Sequence, residues 1–426
     1  MLKLKFLKLD INYILKQGSW TSVHFVLSSV LSFILQLIVV NTFSKLEYGN
    51  YQYVFAISGM IMSFSLQGLR IAMIRNVSQG DLSSFPIAVK ILGKFSLLLI
   101  GAHFVVALYY LSVKDFSNFV LFSILSITAP TISLYNTYTG YLQGVKDFRG
   151  NAIYQVVSLI LTTIASVLTL LIHKNIIMYV FVAQGVNLIV NYFIHRKLIR
   201  QIPSIETTKT EQRNLLRYGL HLSAAGTLGS WSLYFDKIIL NHYGGPISVA
   251  ILAISSSLIN RAKLFTKSIS IIILPKIAEK NIKSINGIFH LRTLQGLALG
   301  LACAAALYFV TPVAFRILYP KYAEDSYYAQ ILAFEAVFLF VGAYHSAILK
   351  AHNMLKPLYV ITTTNGIIRI LFLFVGAMMF STHGVVLARV CSSSISGLVV
   401  YIYLGLHLKK QKRLGAYSDK TDNSVL

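Results

Sequence analysis

Apolar residues fall in twelve runs of about 20 residues, separated by short polar connectors, along the whole chain. A run of that length crosses the hydrocarbon core as a helix. The expected spans are 19–43, 51–69, 87–110, 119–141, 152–172, 176–195, 218–240, 248–270, 293–313, 330–349, 358–380 and 384–406. The connectors leave no room for a sizeable soluble domain. The first run is too long for the apolar core of a signal peptide, and no small-residue cleavage site follows it, so it reads as a retained helix. The pattern predicts an all-α polytopic membrane protein of twelve transmembrane helices in two six-helix bundles. The connector at about 196–217, with Pro203 and mixed charge, is the natural divide. The expected organisation is a bundle over 1–200, a linker over 201–217, a second bundle over 218–408, and a basic, disordered tail over 409–426.

Composition agrees: 56% of the 426 residues are hydrophobic and only 12% are charged, about half the charged share of a soluble domain. The net charge of +24 would fit a nucleic-acid binder, but its distribution fits a membrane. An even number of spans puts both termini on one side, and that side holds 29 of the 38 Lys and Arg. The opposite loops hold five, Lys45, Lys114, Lys174, Arg316 and Lys321. The positive-inside rule therefore makes both termini cytoplasmic. Cys303 and Cys391 lie within spans and read as small packed hydrophobes; the scattered histidines give no metal pattern, and no cofactor is expected.

Polar groups inside the spans carry the functional information, because an ionised side chain at the bilayer centre costs at least about 2.5–3.5 kcal/mol and must face a bundle interior or water. Ser256, Asn260, Lys263, Lys267 and Ser270 share one face of span eight, and Ser223, Thr227, Ser230, Tyr234, Lys237 and Asn241 share one of span seven, with Asp236 beside it. Ser63, Gln67 and Arg70 line up in span two, and Thr362, Asn365 and Arg369 in span eleven. Two readings stand for several of these. Lys263 and Lys267 either snorkel to the cytoplasmic surface or line a passage; Arg369 is either a structural partner or a ligand contact. Glu335 and Arg389 read best as an ion pair between spans ten and twelve, His103 as a satisfied core histidine, and Gly140/Gly144 and Gly296/Gly300 as helix-packing sites. Embedded charge is nonetheless lopsided. Lys237, Arg261, Arg369 and Arg389, with Lys263 and Lys267, face only two acids, Asp236 and Glu335. Such an interior suits an anion, with phosphate the obvious candidate, and the amide and hydroxyl stripes suit a passenger rich in hydroxyls.

The halves show faint similarity to one another: a shift of 200 residues lays Gln36 over Asp236 and Phe43 over Tyr243. Such repeats occur in transporters, with the substrate site at the repeat interface.

Four short motifs carry a family resemblance. They are Phe43–Tyr51 after span one, Gly68–Arg75 after span two, Gln143–Arg149 after span four, and Leu318–Ala323 after span nine. In order and spacing the chain resembles the oligosaccharide repeat-unit flippases, of the O-antigen and capsule type, in the multidrug/oligosaccharidyl-lipid/polysaccharide exporter superfamily. It departs from that pattern at Val249-Ala250, where the family often has a glycine-tyrosine pair. The resemblance implies a V-shaped pair of bundles in a bacterial inner membrane, moving undecaprenyl-pyrophosphate-linked oligosaccharide to the periplasmic leaflet by alternating access. It implies membrane lipids, a polysaccharide polymerase and a chain-length regulator as partners, and no nucleic acid. Arg70, Arg75, Asp236, Lys237, Lys263 and Lys267 would fall on cavity-facing helices; Arg369 and Gln36 complete the expected substrate-binding set. The resemblance implies a transporter rather than an enzyme; no phosphate-binding Gly-rich loop with Lys-Ser/Thr is present, in keeping with outward flipping that needs no ATP. The rivals are a cation-coupled multidrug exporter of the same superfamily, against which stands the lack of an embedded acid in the first six spans, a peptidoglycan-precursor flippase, which usually has more spans, and a membrane polysaccharide polymerase, for which the outer loops are too short.

Overall fold

The computed structural model describes residues 11–202, 209–278, 282–352 and 354–422. Every regular element among them is a helix. In order these are α1 (Ile11–Thr42), α2 (Lys45–Met62), α3 (Gln67–Ser78), α4 (Ser84–Ser112), α5 (Phe116–Tyr135), α6 (Tyr138–Gly144), α7 (Phe148–Ile172) and α8 (Ile176–Ile199). There follow α9 (Lys209–Ala278), α10 (Ile282–Leu318), α11 (Ser326–Ala333), α12 (Leu339–Ala351) and α13 (Leu355–Asp422), with 3₁₀ turns at Pro320–Asp325 and Phe334–Phe338.

Nine helices among the described residues are long and apolar enough to cross a membrane, or ten when the bent pair α2 and α3 counts as one. The chain is a multi-pass membrane protein. Helix ends are set by local chemistry in the short connectors. Asp115 accepts from the Asn118 N–H at 3.1 Å, Asp147 from Gly150 at 2.8 Å, and Asn175 from Ile177 at 2.8 Å. Few acids exist in this chain, and two of them, with one asparagine, satisfy helix-start N–H groups that lipid cannot.

Span two takes a different course from the one expected. Span two was expected to run straight to 69. Instead α2 ends at Met62, the Ser63 hydroxyl turns back to the Met60 carbonyl at 2.7 Å, Leu66 adopts a left-handed φ of 53°, and α3 leaves at 56°. The break in α9 at Gly245 (φ 73°) falls in the connector expected between spans seven and eight, 241–247. The break in α13 at Phe380–Ser381 falls where spans eleven and twelve were expected to part. At that second break the chain reverses: a Cβ on Gly384 would sit 1.9 Å from the Gly376 carbonyl oxygen, so the two limbs touch backbone to backbone. Helix α13 is drawn to Asp422, and the Lys, Gln, Arg and Leu of its last turns are good helix formers. Residues 1–10, with Lys3, Lys5 and Lys8, and the connector 203–208 lie outside the described residues.

The chain forms two compact units. The first takes residues up to Ser44 together with Ile57–Thr227; the second takes Lys45–Ala56 and Leu228 onward. In the first, α4 packs along α5, and α3 along α6. A core of Leu69, Met73, Phe85, Ala88 and Tyr138 lies among them. Added Cβ atoms on Gly140 and Gly144 would strike Met73 and Val77, so these glycines let α6 dock on α3. His103 is fully buried, bonded to Ser58 at 2.9 Å and to the Leu99 carbonyl at 2.8 Å, a satisfied core histidine. In the second unit Gly296 and Gly300 seat α10 against Val341 and Val337. Its cores gather Leu240, Val249, Leu252, Leu373 and Val386 in one cluster, and Phe289, Ile348 and Leu404 in another.

Gly384→Ala tests the hairpin. The added methyl forces the α13 limbs apart, with an expected loss of about 1–3 kcal/mol. It should appear as a lower melting temperature in detergent, whereas Gly185→Ala, at a glycine with open space around it, should be neutral or stabilising.

Candidate functional site

The second unit buries an ionic network where lipid-facing helices would leave charge uncompensated. Arg389 on α13 is its centre. Its Nε donates to Glu335 Oε1 at 2.7 Å and one terminal nitrogen reaches Glu335 Oε2 at 3.3 Å. The other terminal nitrogen donates to the Ser256 hydroxyl at 2.6 Å and to Asp236 Oδ2 at 3.4 Å. Lys263 Nζ donates to Glu335 Oε2 at 2.5 Å. Arg369 lies 3.8 Å from Asp236 Oδ2. Asp236, Glu335 and Arg389 are each no more than 4% exposed. The expected pairing of Glu335 with Arg389 is present, but as part of a larger assembly.

Local backbone explains how these groups meet. Glu335 sits in the 3₁₀ turn Phe334–Phe338, which interrupts the pass between α11 and α12. Asp236 and Ser256 come from the two sides of the Gly245 break in α9. Three cations, Lys263, Arg369 and Arg389, face two carboxylates, so one positive charge is left over. Arg389 and Lys263 both hydrogen-bond to a carboxylate, whereas the link from Arg369 is longer, and its side chain is 20% exposed. Its Nε makes no hydrogen bond. The surplus therefore sits on Arg369, which lines a cavity of about 390 Å³ inside the same unit.

The other expected site residues are distributed more widely. Lys237 does not join the network: its backbone N–H donates to Asp236 Oδ1 at 2.8 Å, while its Nζ donates to Gln52 Oε1 at 2.7 Å. Arg70 and Arg75 belong to α3 in the first unit. Arg70 is half-buried and donates to the Asn136 carbonyl at 2.6 Å, and Arg75 is exposed. Gln36 is half-buried on α1, also in the first unit. The side chain of Lys267 lies outside the described residues.

Two features escaped sequence reading. Lys45 forms an ion pair with Asp325 at 2.6 Å and lies 5.1 Å from the Tyr322 ring centroid, so two of the four family motifs meet. The other two meet where α6 docks on α3. The cavity also has a hydroxyl wall from Ser392, Ser393 and Ser396. The signal for it was the run of three serines, 392–394, within an apolar span.

Arg389→Leu should cost about 3–5 kcal/mol, since it removes the guanidinium that two buried carboxylates share. Arg389→Lys should rescue little, because a point charge cannot replace a fork that serves Glu335 and Asp236 together. Protein level in membranes and melting in detergent check both.

Comparison with known proteins places the chain in a family. Solved structures share the fold across most of the chain. Lipid II flippase MurJ in an inward closed conformation matches with a TM-score of 0.74 and 18% identity, over 91% of this chain and 87% of that one. An outward-facing MATE multidrug resistance transporter of the MOP superfamily matches with a TM-score of 0.64 and 14% identity, over 93% and 96%. A MOP superfamily transporter from Pyrococcus furiosus, described as having a binding pocket of reversed polarity, matches at 0.57 and 13%, over 93% and 96%. The chain matches none of the curated proteins by sequence. The family described as "Polysaccharide biosynthesis protein" matches residues 14–281, well over half of the sequence, and the chain belongs to that family.

Proposed function

We propose that this protein is a flippase that carries undecaprenyl-pyrophosphate-linked oligosaccharide repeat units from the cytoplasmic to the periplasmic leaflet by alternating access. The pathway would be surface polysaccharide synthesis of the O-antigen or capsule type, in a bacterial inner membrane. Twelve crossings with both termini cytoplasmic go with this reading. The described residues 229–263 and 357–408 would extend about 50 Å and 80 Å as straight helices, against a hydrocarbon core of about 30 Å. Counting each as two passes across its break raises ten to twelve.

The observation that carries the reading is the surplus of embedded positive charge in a member of a polysaccharide biosynthesis family. Burying one unpartnered hydroxyl in hydrocarbon costs roughly 2–7 kcal/mol, so a glycan with many hydroxyls needs a polar passage, while its lipid tail stays in the bilayer. An inside-negative potential drives an anion outward by about 2.3 kcal/mol per charge per 100 mV, which removes the need for ATP. Arg70, Arg75, Lys263 and Lys267 would capture the pyrophosphate; Lys237 and Asp236 would help to release it. A polymerase and a chain-length regulator would take over the product. A cation-coupled drug exporter needs a carboxylate open to its cargo, and both acids of the network are already held by guanidinium and ammonium groups.

Reconstitution in liposomes with the labelled lipid-linked oligosaccharide tests the reading. The glycan should become accessible to a membrane-impermeant oxidant on the far leaflet, faster under a potential negative on the loading side. Arg70→Ala should slow this by about tenfold, the effect of one charge-assisted hydrogen bond. Movement of a cationic dye with no movement of the oligosaccharide would overturn it.

A further inference from the structure

The cavity in the second unit has the features of a ligand site in its own right. At about 390 Å³ it lies within the range of small-molecule pockets, about 300–1,000 Å³. It is lined by the α13 stripe Thr362, Asn365 and Arg369 and, from beyond the break at Phe380–Ser381, by Ser393 and Ser396. Phe338 and Ile361 supply apolar surface.

Two unmet hydrogen-bonding needs converge here. Arg369 Nε, a donor, and Asn365 Oδ1, an acceptor, are buried without a partner among the described residues. Asn365 and Arg369 are one helical turn apart on one face, and both residues line the space, with these two atoms just beneath its surface. Unmet needs of both kinds call for a hydroxyl-bearing ligand, and the charge surplus on Arg369 calls for an oxyanion. The carboxylate of Glu335 also borders the cavity, but it is held by Arg389 and Lys263.

We propose that this cavity binds a monosaccharide unit bearing a phosphate, with the oxyanion on Arg369 and the sugar hydroxyls on Asn365, Thr362, Ser393 and Ser396. That chemistry has two sources: a free sugar phosphate, or the phosphate-proximal sugar of a lipid-linked saccharide. Only the second rests on the flippase reading.

The test uses the full chain in nanodiscs, with Cys303→Ala and Cys391→Ser removing the native thiols and Val400→Cys, on the cavity lining, as the reporter. Glucose 1-phosphate should slow maleimide labelling of the reporter in a saturable way, and inorganic phosphate or glucose alone should do so more weakly. Arg369→Gln should weaken the effect by about tenfold or more, and Arg369→Lys by less. Should Arg369→Gln fail to fold, Asn365→Ala carries the same expectation, because it leaves the ion pairs untouched. Displacement of glucose 1-phosphate by the lipid-linked saccharide assigns the site to the transported cargo; persistence of the sugar phosphate assigns it to a free ligand. Absence of saturable protection, equal protection in the Arg369→Gln and Asn365→Ala variants, or inorganic phosphate binding as tightly as glucose 1-phosphate overturns the site. Protection with no oligosaccharide movement sinks the flippase reading alone, and movement without protection sinks this site alone.

Discussion

The second unit depends on one guanidinium. Arg389 bridges Glu335 and Asp236, residues 54 and 153 positions away in sequence, and bonds Ser256 as well. Neither carboxylate is tolerable alone at membrane depth, and neither is Arg389. Their mutual presence ties α9, α13 and the interrupted pass between α11 and α12 to one point. A buried ion pair is weak evidence for net stability, since apolar packing of equal volume often does as well. Its effect here is on arrangement: a fork that must meet two acids and a hydroxyl tolerates few relative placements of three helices.

Charge accounting then links this anchor to function. Had the network balanced, its interior would be a closed structural device. It leaves one positive charge, on the member with the weakest ion pair, beside a polar cavity. The anchor and the candidate binding group are thus electrostatically coupled, because any anion at Arg369 also relieves its repulsion with Arg389.

Much of the fold was legible because lipid imposes a simple rule: apolar runs of fixed length, polar caps at their ends. The pairing of Glu335 with Arg389 could be read because two opposite charges at similar depth have few alternatives. Asp236 could not be assigned to the same group, since nothing local shows that span seven turns its acid toward span twelve. Lys237, its neighbour in sequence, points to Gln52 instead, a partition that periodicity along one helix cannot supply. The 3₁₀ turns and the left-handed Leu66 were invisible for a related reason. Hydropathy averages over about 19 residues and smooths out a break of four or five. The serine wall was visible as composition, but hydroxyls that bond their own helix look the same in sequence as hydroxyls that face a cavity.

The 3₁₀ turn at Phe334–Phe338 has a geometric effect beyond placing one acid. Each 3₁₀ residue advances about 120° and 2.0 Å, against 100° and 1.5 Å in an α-helix. Five such residues rotate everything that follows by about 100° and lengthen the pass by about 2.5 Å relative to an unbroken helix. The segment is therefore a phase shifter. It lets Leu332 and Val341, nine positions apart and both buried, satisfy two differently oriented walls along a single crossing. Rewinding those five residues into regular α geometry would swing Val341 and His345 away from α10 by more than a quarter turn, carrying one rim of the cavity with them.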